Sequence, residues 1–343
     1  MPFDENIVCP VSREPLEEVA GRLVSPSARS YDISGGIPLL YVDENQTSTI
    51  EPMANAAAVP AHVTHTVRDF YEVSPFPNYN AFDSLEAFVQ RANTGIFARL
   101  LREQIPLNAN VLEIGCGTGQ LSVYLAASTL SRVYATDMTL ASLRLGQDFS
   151  VRKGVKGIRF MQMNLFRPAI PPASMDIVIS NGVLHHTYDT KKAFMSIARL
   201  VKPGGHIIVG LYNRIGRLRT DMRRLLVKAI GERALLLDPH LRKDQSAERR
   251  HAWIRDQYFH PQERKHSMSE VMGWFDEAGF SFVSSIPKII GTFRDDERLF
   301  APQNPGSASD RAMAEIGMLI SNLGGEGGLF VSIGRKKADA CAC

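Results

Sequence analysis

The sequence predicts an α/β fold: one seven-stranded sheet with helices after strands one to five and a strand-six/strand-seven return. Three observations carry this. Val111–Ile114 is a short apolar run followed by Gly115, Gly117 and Gly119 at alternate positions. Leu121, Tyr124, Leu125 and Ser128 then recur at helical spacing, so the stretch reads as strand, tight turn and helix. Further on, Lys191–Val201 carries Phe194, Ile197, Ala198 and Val201 on one face, and Pro203-Gly204-Gly205 stops that helix before a strand at His206–Leu211.

Composition narrows the class. At 343 residues the chain is long for a single domain and implies a core with additions. A hydrophobic content of 44% is ordinary for a globular protein, and a net charge of +3 does not by itself imply a polyanionic partner. No run of 18 apolar residues exists, and Asp4 and Glu5 replace the apolar segment of a secretory signal. Cys9, Cys116, Cys341 and Cys343 form no disulfide framework, so a reduced, cytoplasmic setting is expected.

The glycine turn is not a dinucleotide fingerprint, because Gln120 stands where Gly-x-Gly-x-x-Gly needs its last glycine. No Lys-Ser/Thr follows, which excludes a P-loop. What stands here is Glu113-x-Gly115-x-Gly117-x-Gly119, and it resembles motif I of the class I S-adenosylmethionine-dependent methyltransferases. The resemblance covers roughly residues 70–335 and implies a Rossmann-like seven-stranded sheet with S-adenosyl-L-methionine as cofactor.

Ahead of the core, residues 1–50 form a small polar module. Its Cys9-Pro10-Val11-Ser12 and Ser30–Leu40 segments resemble a zinc-ribbon-like domain found before some methyltransferases. Ser12 takes the place of a second cysteine and no other Cys or His pair lies nearby, so no metal is expected. A docking module and a hairpin packed on the core are both open readings. Residues 51–106 are expected to hold a linker, an aromatic loop and a helical cap, with the Ala-, Thr-, Pro- and Asn-rich linker extending over 44–66. The loop at 69–79 has two prolines and four aromatics, which argues against helix or strand. Tyr71, Phe76 or Tyr79 either faces a sulfonium or packs on the core. Leu85–Leu101 reads as an amphipathic helix broken near Gly95.

The core is placed at 107–343. Its second strand, Arg132–Thr136, ends at Asp137. A carboxylate there either accepts the hydroxyls of a ribose or caps the following helix, and motif I favours the ribose. The resemblance puts Met138 beside the adenine. Strand three, Gly157–Met163, leads to Asn164 and Leu165; Asn164 stands where many family members carry Asp, and its amide oxygen can still accept a bond from the adenine amino group. Strand four, Met175–Ser180, is followed by Asn181-Gly182-Val183-Leu184-His185-His186, which resembles motif IV of the small-molecule methyltransferases. The cofactor-binding set is therefore Glu113, Gly115, Gly117, Gly119, Asp137, Met138, Asn164, Leu165 and Asn181, with Tyr71 and Tyr79. His185 and His186 sit where an acceptor belongs, as general base or as structural residues.

Residues 212–266 read as an inserted helical lid. Ile215, Leu218, Met222, Leu225, Leu226, Ala229 and Ile230 form an apolar face, and Arg214, Arg217, Arg219, Arg223 and Arg224 lie mostly off it as a solvated basic face. Tyr258 and His260 are candidates for the acceptor pocket. Ser267-Met268-Ser269-Glu270 is a capping box, strands six and seven fall at Phe280–Ile286 and Leu329–Gly334, and a helix is expected near 311–323. The expected partner is a small-molecule acceptor; no membrane is expected, nucleic acid is disfavoured, and a homodimer is compatible with the sequence. Length and layout are similar to those of the bacterial S-methyltransferases that act on 4-methylthio-2-hydroxybutyrate in dimethylsulfoniopropionate synthesis. O- or C-methylation of a phenol or quinone is the alternative, with RNA methylation behind it.

Overall fold

The computed structural model describes residues 3–43, 61–73, 75, 79, 84–231, 233, 235, 238, 241, 247–320 and 328–338. The N-terminal module holds β1 (Glu17–Val19), β2 (Arg22–Val24), β3 (Ser30–Ser34) and β4 (Ile37–Leu40). Three helices follow: α1 (Ala61–Val73), α2 (Leu85–Asn93) and α3 (Ile96–Gln104), with Gly95 between the last two. The core alternates β5 (Asn110–Ile114), α4 (Gln120–Ser128), β6 (Arg132–Asp137), α5 (Leu140–Arg152), β7 (Ile158–Met163), β8 (Met175–Asn181), α6 (Thr190–Ala198) and β9 (Val201–Tyr212). Then come α7 (Leu218–Ile230), α8 (Ala247–Phe259), α9 (Met268–Glu277), β10 (Phe280–Ile286), α10 (Ala308–Ile320) and β11 (Leu329–Lys336).

The sheet has 11 strands in the order β1-β2-β3-β4-β7-β6-β5-β8-β9-β11-β10. The seven expected strands are present, but they do not make the whole sheet. Leu39 and Leu40 of β4 pair in parallel with Gln162 and Met163, so the module extends the sheet. Within the core only β11 is antiparallel to its neighbours β9 and β10. No helix follows the third core strand, where Asn164 and Arg167 instead form an isolated bridge.

Two other expectations are corrected. The linker is helical where described and the aromatic loop is helical up to Val73, because α1 spans Ala61–Val73 and so includes Phe70 and Tyr71; Pro75 and Tyr79 lie outside any helix. The prolines that argued against a helix, Pro75 and Pro77, lie beyond its end. Phe76 falls outside the described residues, as do Cys341 and Cys343.

Local rules explain the rest. Ser267 and Glu270 form a reciprocal capping box on α9, and Asp189 caps α6 by accepting from the Lys192 amide. The strand order reverses between β5 and β8, which opens a crevice at their carboxyl ends.

Candidate active site

The cofactor half of the crevice is built from three strand ends. Gly115, Gly117 and Gly119 all have positive φ, a region that L side chains rarely enter. A Cβ on Gly115 would clash with Val183, and one on Gly146 of α5 would clash with the Thr118 carbonyl. The turn is thus pressed between the segment after β8 and a neighbouring helix. Asp137 sits beside it: its carboxylate accepts from the Gly117 amide at 2.9 Å and from the Thr139 amide and hydroxyl at 2.8 and 2.7 Å. Burial raises its pKa, against those hydrogen bonds. Glu113 lies beneath the turn, accepts from the Ser122 hydroxyl and is pushed up to about 7, chiefly by burial.

Other residues of the expected set take several positions. Gln162 is in register with Asp137 and donates to the Met138 carbonyl at 2.9 Å. The Asn181 side-chain oxygen is buried without a hydrogen-bond partner at the end of β8. Tyr79 stacks on Phe149 at 4.3 Å, and its hydroxyl donates to the Thr118 carbonyl. Asn164 departs from the adenine role. Its amide donates to the Val42 carbonyl and its oxygen accepts from the Phe166 amide, so the side chain ties the N-terminal module to the turn after β7. Leu165 packs against the main core.

The other half of the crevice is an imidazole cluster. Leu184–His186 forms a short 3-10 turn at the crevice, and His185 and His186 are both buried. His260, from the end of the lid, lies 3.7 Å from His186 between ring centroids. Phe70 and Tyr71 of α1 reach His260 at 5.2 and 5.5 Å. Tyr212, at the end of β9, packs on His185 at 4.2 Å. Three distant segments therefore meet on the motif IV turn.

The backbone of one residue, Gln262, sets two tautomers here. The Gln262 carbonyl can only accept, so His186 Nδ1 donates to it, at 2.7 Å. The Gln262 amide donates to His260 Nδ1 at 3.1 Å, which leaves the proton of neutral His260 on Nε2. That Nε2 is buried with no hydrogen-bond partner, as are both ring nitrogens of His185. Burial, with the positive potential of His186, holds the His260 pKa down to about 2 and that of His185 well below the usual histidine value.

Tyr258 is placed elsewhere. Its hydroxyl donates to Asp238 at 2.9 Å inside a small core of the lid that includes Val227 and Trp253. The lid also reverses the expected polarity of α7. Arg217 is fully buried, stacks over Tyr212 at 3.7 Å and pairs with both oxygens of Glu263; Arg224 grips the same carboxylate. Burial opposes ionisation of Glu263, but the two arginines outweigh it and hold its pKa down to about 2. Meanwhile Leu218, Met222, Leu225 and Ile230 are exposed. Sequence reasoning missed these roles for Tyr212, Arg217 and Glu263, and for Gln257, whose side chain accepts from Arg217 and donates to the Tyr212 hydroxyl. The available signal was that the segment 214–224 carries five arginines while its surroundings also carry acids.

Residues 112–209 match the family model of a methyltransferase domain. An uncharacterised protein of Synechococcus sp. is 28% identical over 66% of this chain and 61% of its own length. An uncharacterised methyltransferase of Mycobacterium bovis is 36% identical over 32% of this chain and 54% of its own. A ubiquinone biosynthesis O-methyltransferase of Paracidovorax citrulli is 32% identical over 30% and 44%. The chain thus spans about half to three-fifths of the length of the first two of these relatives. Among solved structures, the magnesium protoporphyrin IX methyltransferase of Synechocystis is 16% identical, with a TM-score of 0.45 over 80% of this chain and all of that one. Residues 112–209 therefore carry a methyltransferase domain, and the group such a domain would take here is S-adenosylmethionine. The residues present fit that group: a glycine turn without Cβ atoms, a carboxylate at the end of β6 and an unpartnered buried oxygen on Asn181 line one crevice.

Proposed function

We propose that the protein transfers a methyl group from S-adenosylmethionine to a small-molecule acceptor held against His185, His186 and His260. The observation that carries this is the imidazole cluster at the carboxyl end of β8, with three buried ring nitrogens left without partners. Val183, three residues before His186, touches the glycine turn, which makes the two halves of the crevice neighbours. Bound cofactor supplies an electrophilic methyl group on a sulfonium. The turn at 115–119 and Asp137 hold the cofactor. His260 Nε2 offers a hydrogen bond to an oxygen of the acceptor, and Phe70, Tyr71 and Tyr212 exclude water and fix orientation, which is most of what a displacement needs.

The acceptor atom we favour is a thioether sulfur, as in 4-methylthio-2-hydroxybutyrate. A thioether carries no proton, so it needs no base. The support is that His185 and His260 are held neutral, and neither ring is backed by a hydrogen-bonded carboxylate. O- or C-methylation of a phenol or quinone is the second reading, favoured by the named activity of the ubiquinone biosynthesis relatives. Formation of S-adenosylhomocysteine with thioether, phenol and quinol acceptors, followed against pH, separates them. A saturated rate that is flat from about pH 5.5 to about 8.5, a range that brackets the ordinary histidine value near 6.5, supports sulfur. A rising limb near that value, lost in His186→Ala, supports oxygen or carbon. No turnover with any small acceptor removes both.

A further inference from the structure

The outer face of α7 is the largest feature that methyl transfer leaves unexplained. Met222 is 64% exposed and Leu225 66%, with Leu218, Leu226 and Ile230 beside them. A helix this apolar normally turns such a stripe inward. Here the inward side is taken by Arg217, Arg224, Thr220 and Val227, and the Arg217–Glu263–Arg224 network fixes that orientation. The stripe continues onto α10, where Met313, Ile316 and Ile320 are also exposed and Arg219 reaches the Ile320 carbonyl at 3.5 Å.

Charge decides what covers it. Between residues 214 and 233 the sequence has seven Arg and Lys against two acids. Arg217 and Arg224 are taken up by Glu263, and Asp221 is paired with Lys265 at 2.5 Å. Arg219, Lys228 and Arg233 stay exposed around the apolar stripe, and Arg214 is exposed beside Glu270 at 3.8 Å. A second copy of the chain would bring an identical basic border against this one. An anionic surface with an apolar interior complements both the stripe and the border.

We propose that α7, with the adjoining face of α10, seats the protein on an anionic lipid surface. No described helix is long and apolar enough to cross a membrane, so the association is interfacial. It replaces the sequence expectation of no membrane partner, and it does not depend on which acceptor is methylated. Leu218, Met222 and Leu225 lie on successive turns and enter the headgroup boundary together, while the basic border pairs with lipid phosphates.

The test is co-sedimentation of the full chain with phosphatidylglycerol-rich vesicles and with phosphatidylcholine vesicles. The protein is expected to bind the first far more than the second, with binding weakened by salt. The double variant Met222→Glu/Leu225→Glu should lower vesicle affinity by about tenfold or more, since each change removes an apolar side chain that lipid would bury and adds a charge of the same sign as the lipid phosphates. Its thermal unfolding and cofactor affinity should match the wild type, because both side chains are in solvent. Absence of binding, equal binding to both vesicles, or unchanged binding by the double variant overturns the proposal. A solution dimer that the same double variant dissociates, without lipid binding, overturns it in favour of a second copy.

Discussion

Helices α6 and α7 carry similar sequence patterns and take opposite orientations. In α6, Ala193, Phe194, Ile197 and Ala198 are all buried against the sheet. In α7 the apolar residues at comparable spacing are exposed, and Arg217 is among the largest fully buried side chains in the molecule. Periodicity identifies a face; it does not say which side that face meets. For α6 the partners are apolar: the sheet surface and Trp274 and Phe275 of α9, which lie 5.8 and 5.7 Å from Phe194 between ring centroids. For α7 the partner is Glu263, 46 residues on from Arg217, and two charge-assisted pairs outweigh a few aliphatic contacts.

The comparison breaks most visibly at Glu263. Its removal leaves Arg217 buried and unpaired, so Glu263→Ala should destabilise the lid by about 3–5 kcal/mol. Hydrogen exchange over 218–259 reads this directly; protection unchanged in that segment would show that the triad does not hold α7. Next, Phe194→Ala should cost about 3–5 kcal/mol of core stability, while Leu225→Ala should stay within about 0.5 kcal/mol. Equal costs in urea unfolding would mean that α7 buries its apolar stripe after all.

A third experiment separates the crevice from the lid. Asp137→Ala should weaken S-adenosylmethionine binding by about 1.5–3 kcal/mol in calorimetry, as expected for lost bonds to a charged group. Leu225→Ala should leave it unchanged. Unaltered affinity in the Asp137 variant would make that carboxylate a turn brace only, the role its bonds to Gly117 and Thr139 already give it.

The smallest effect is a difference in pH slope between two carboxylates. Glu113, pushed up to about 7 from 4.5, binds its proton more tightly when folded. Stability therefore falls as pH rises from about 4.5 to about 7, and Glu113→Gln should flatten that limb. Glu263, held down to about 2, contributes stability that is complete above about 4.5 and lost as pH falls towards 2. Urea midpoints across pH 3–8, about the span of those values, check both signs. A midpoint that rises between pH 5 and 7 in the wild type and is unaffected by Glu113→Gln would contradict the first.

The core was legible because its rules are local. A strand, a glycine turn with positive φ and an acid at the next strand end all lie within Val111–Asp137. The capping box at Ser267 was legible for the same reason. The acceptor side was only half legible. His185, His186 and His260 were singled out, but their meeting with Tyr212, and that of His260 with Phe70 and Tyr71 far earlier in the chain, depends on contacts that no local pattern announces. Tyr258 misled because its neighbour in sequence, Phe259, is exposed while its own hydroxyl turns into the lid on Asp238. Asn164 misled because nothing near it in the chain announces Val42, 122 residues earlier.

The pairing of β4 with β7 has a bearing on solubility. Without β4, the strand carrying Phe160, Met161 and Met163 would be the outermost of the core sheet, with one row of amides and carbonyls unpaired. Such an edge is a template for another chain to add to. The first forty residues cover that edge, so a protein trimmed at residue 60 is expected to keep its glycine turn and its imidazole cluster yet to precipitate more readily as it folds.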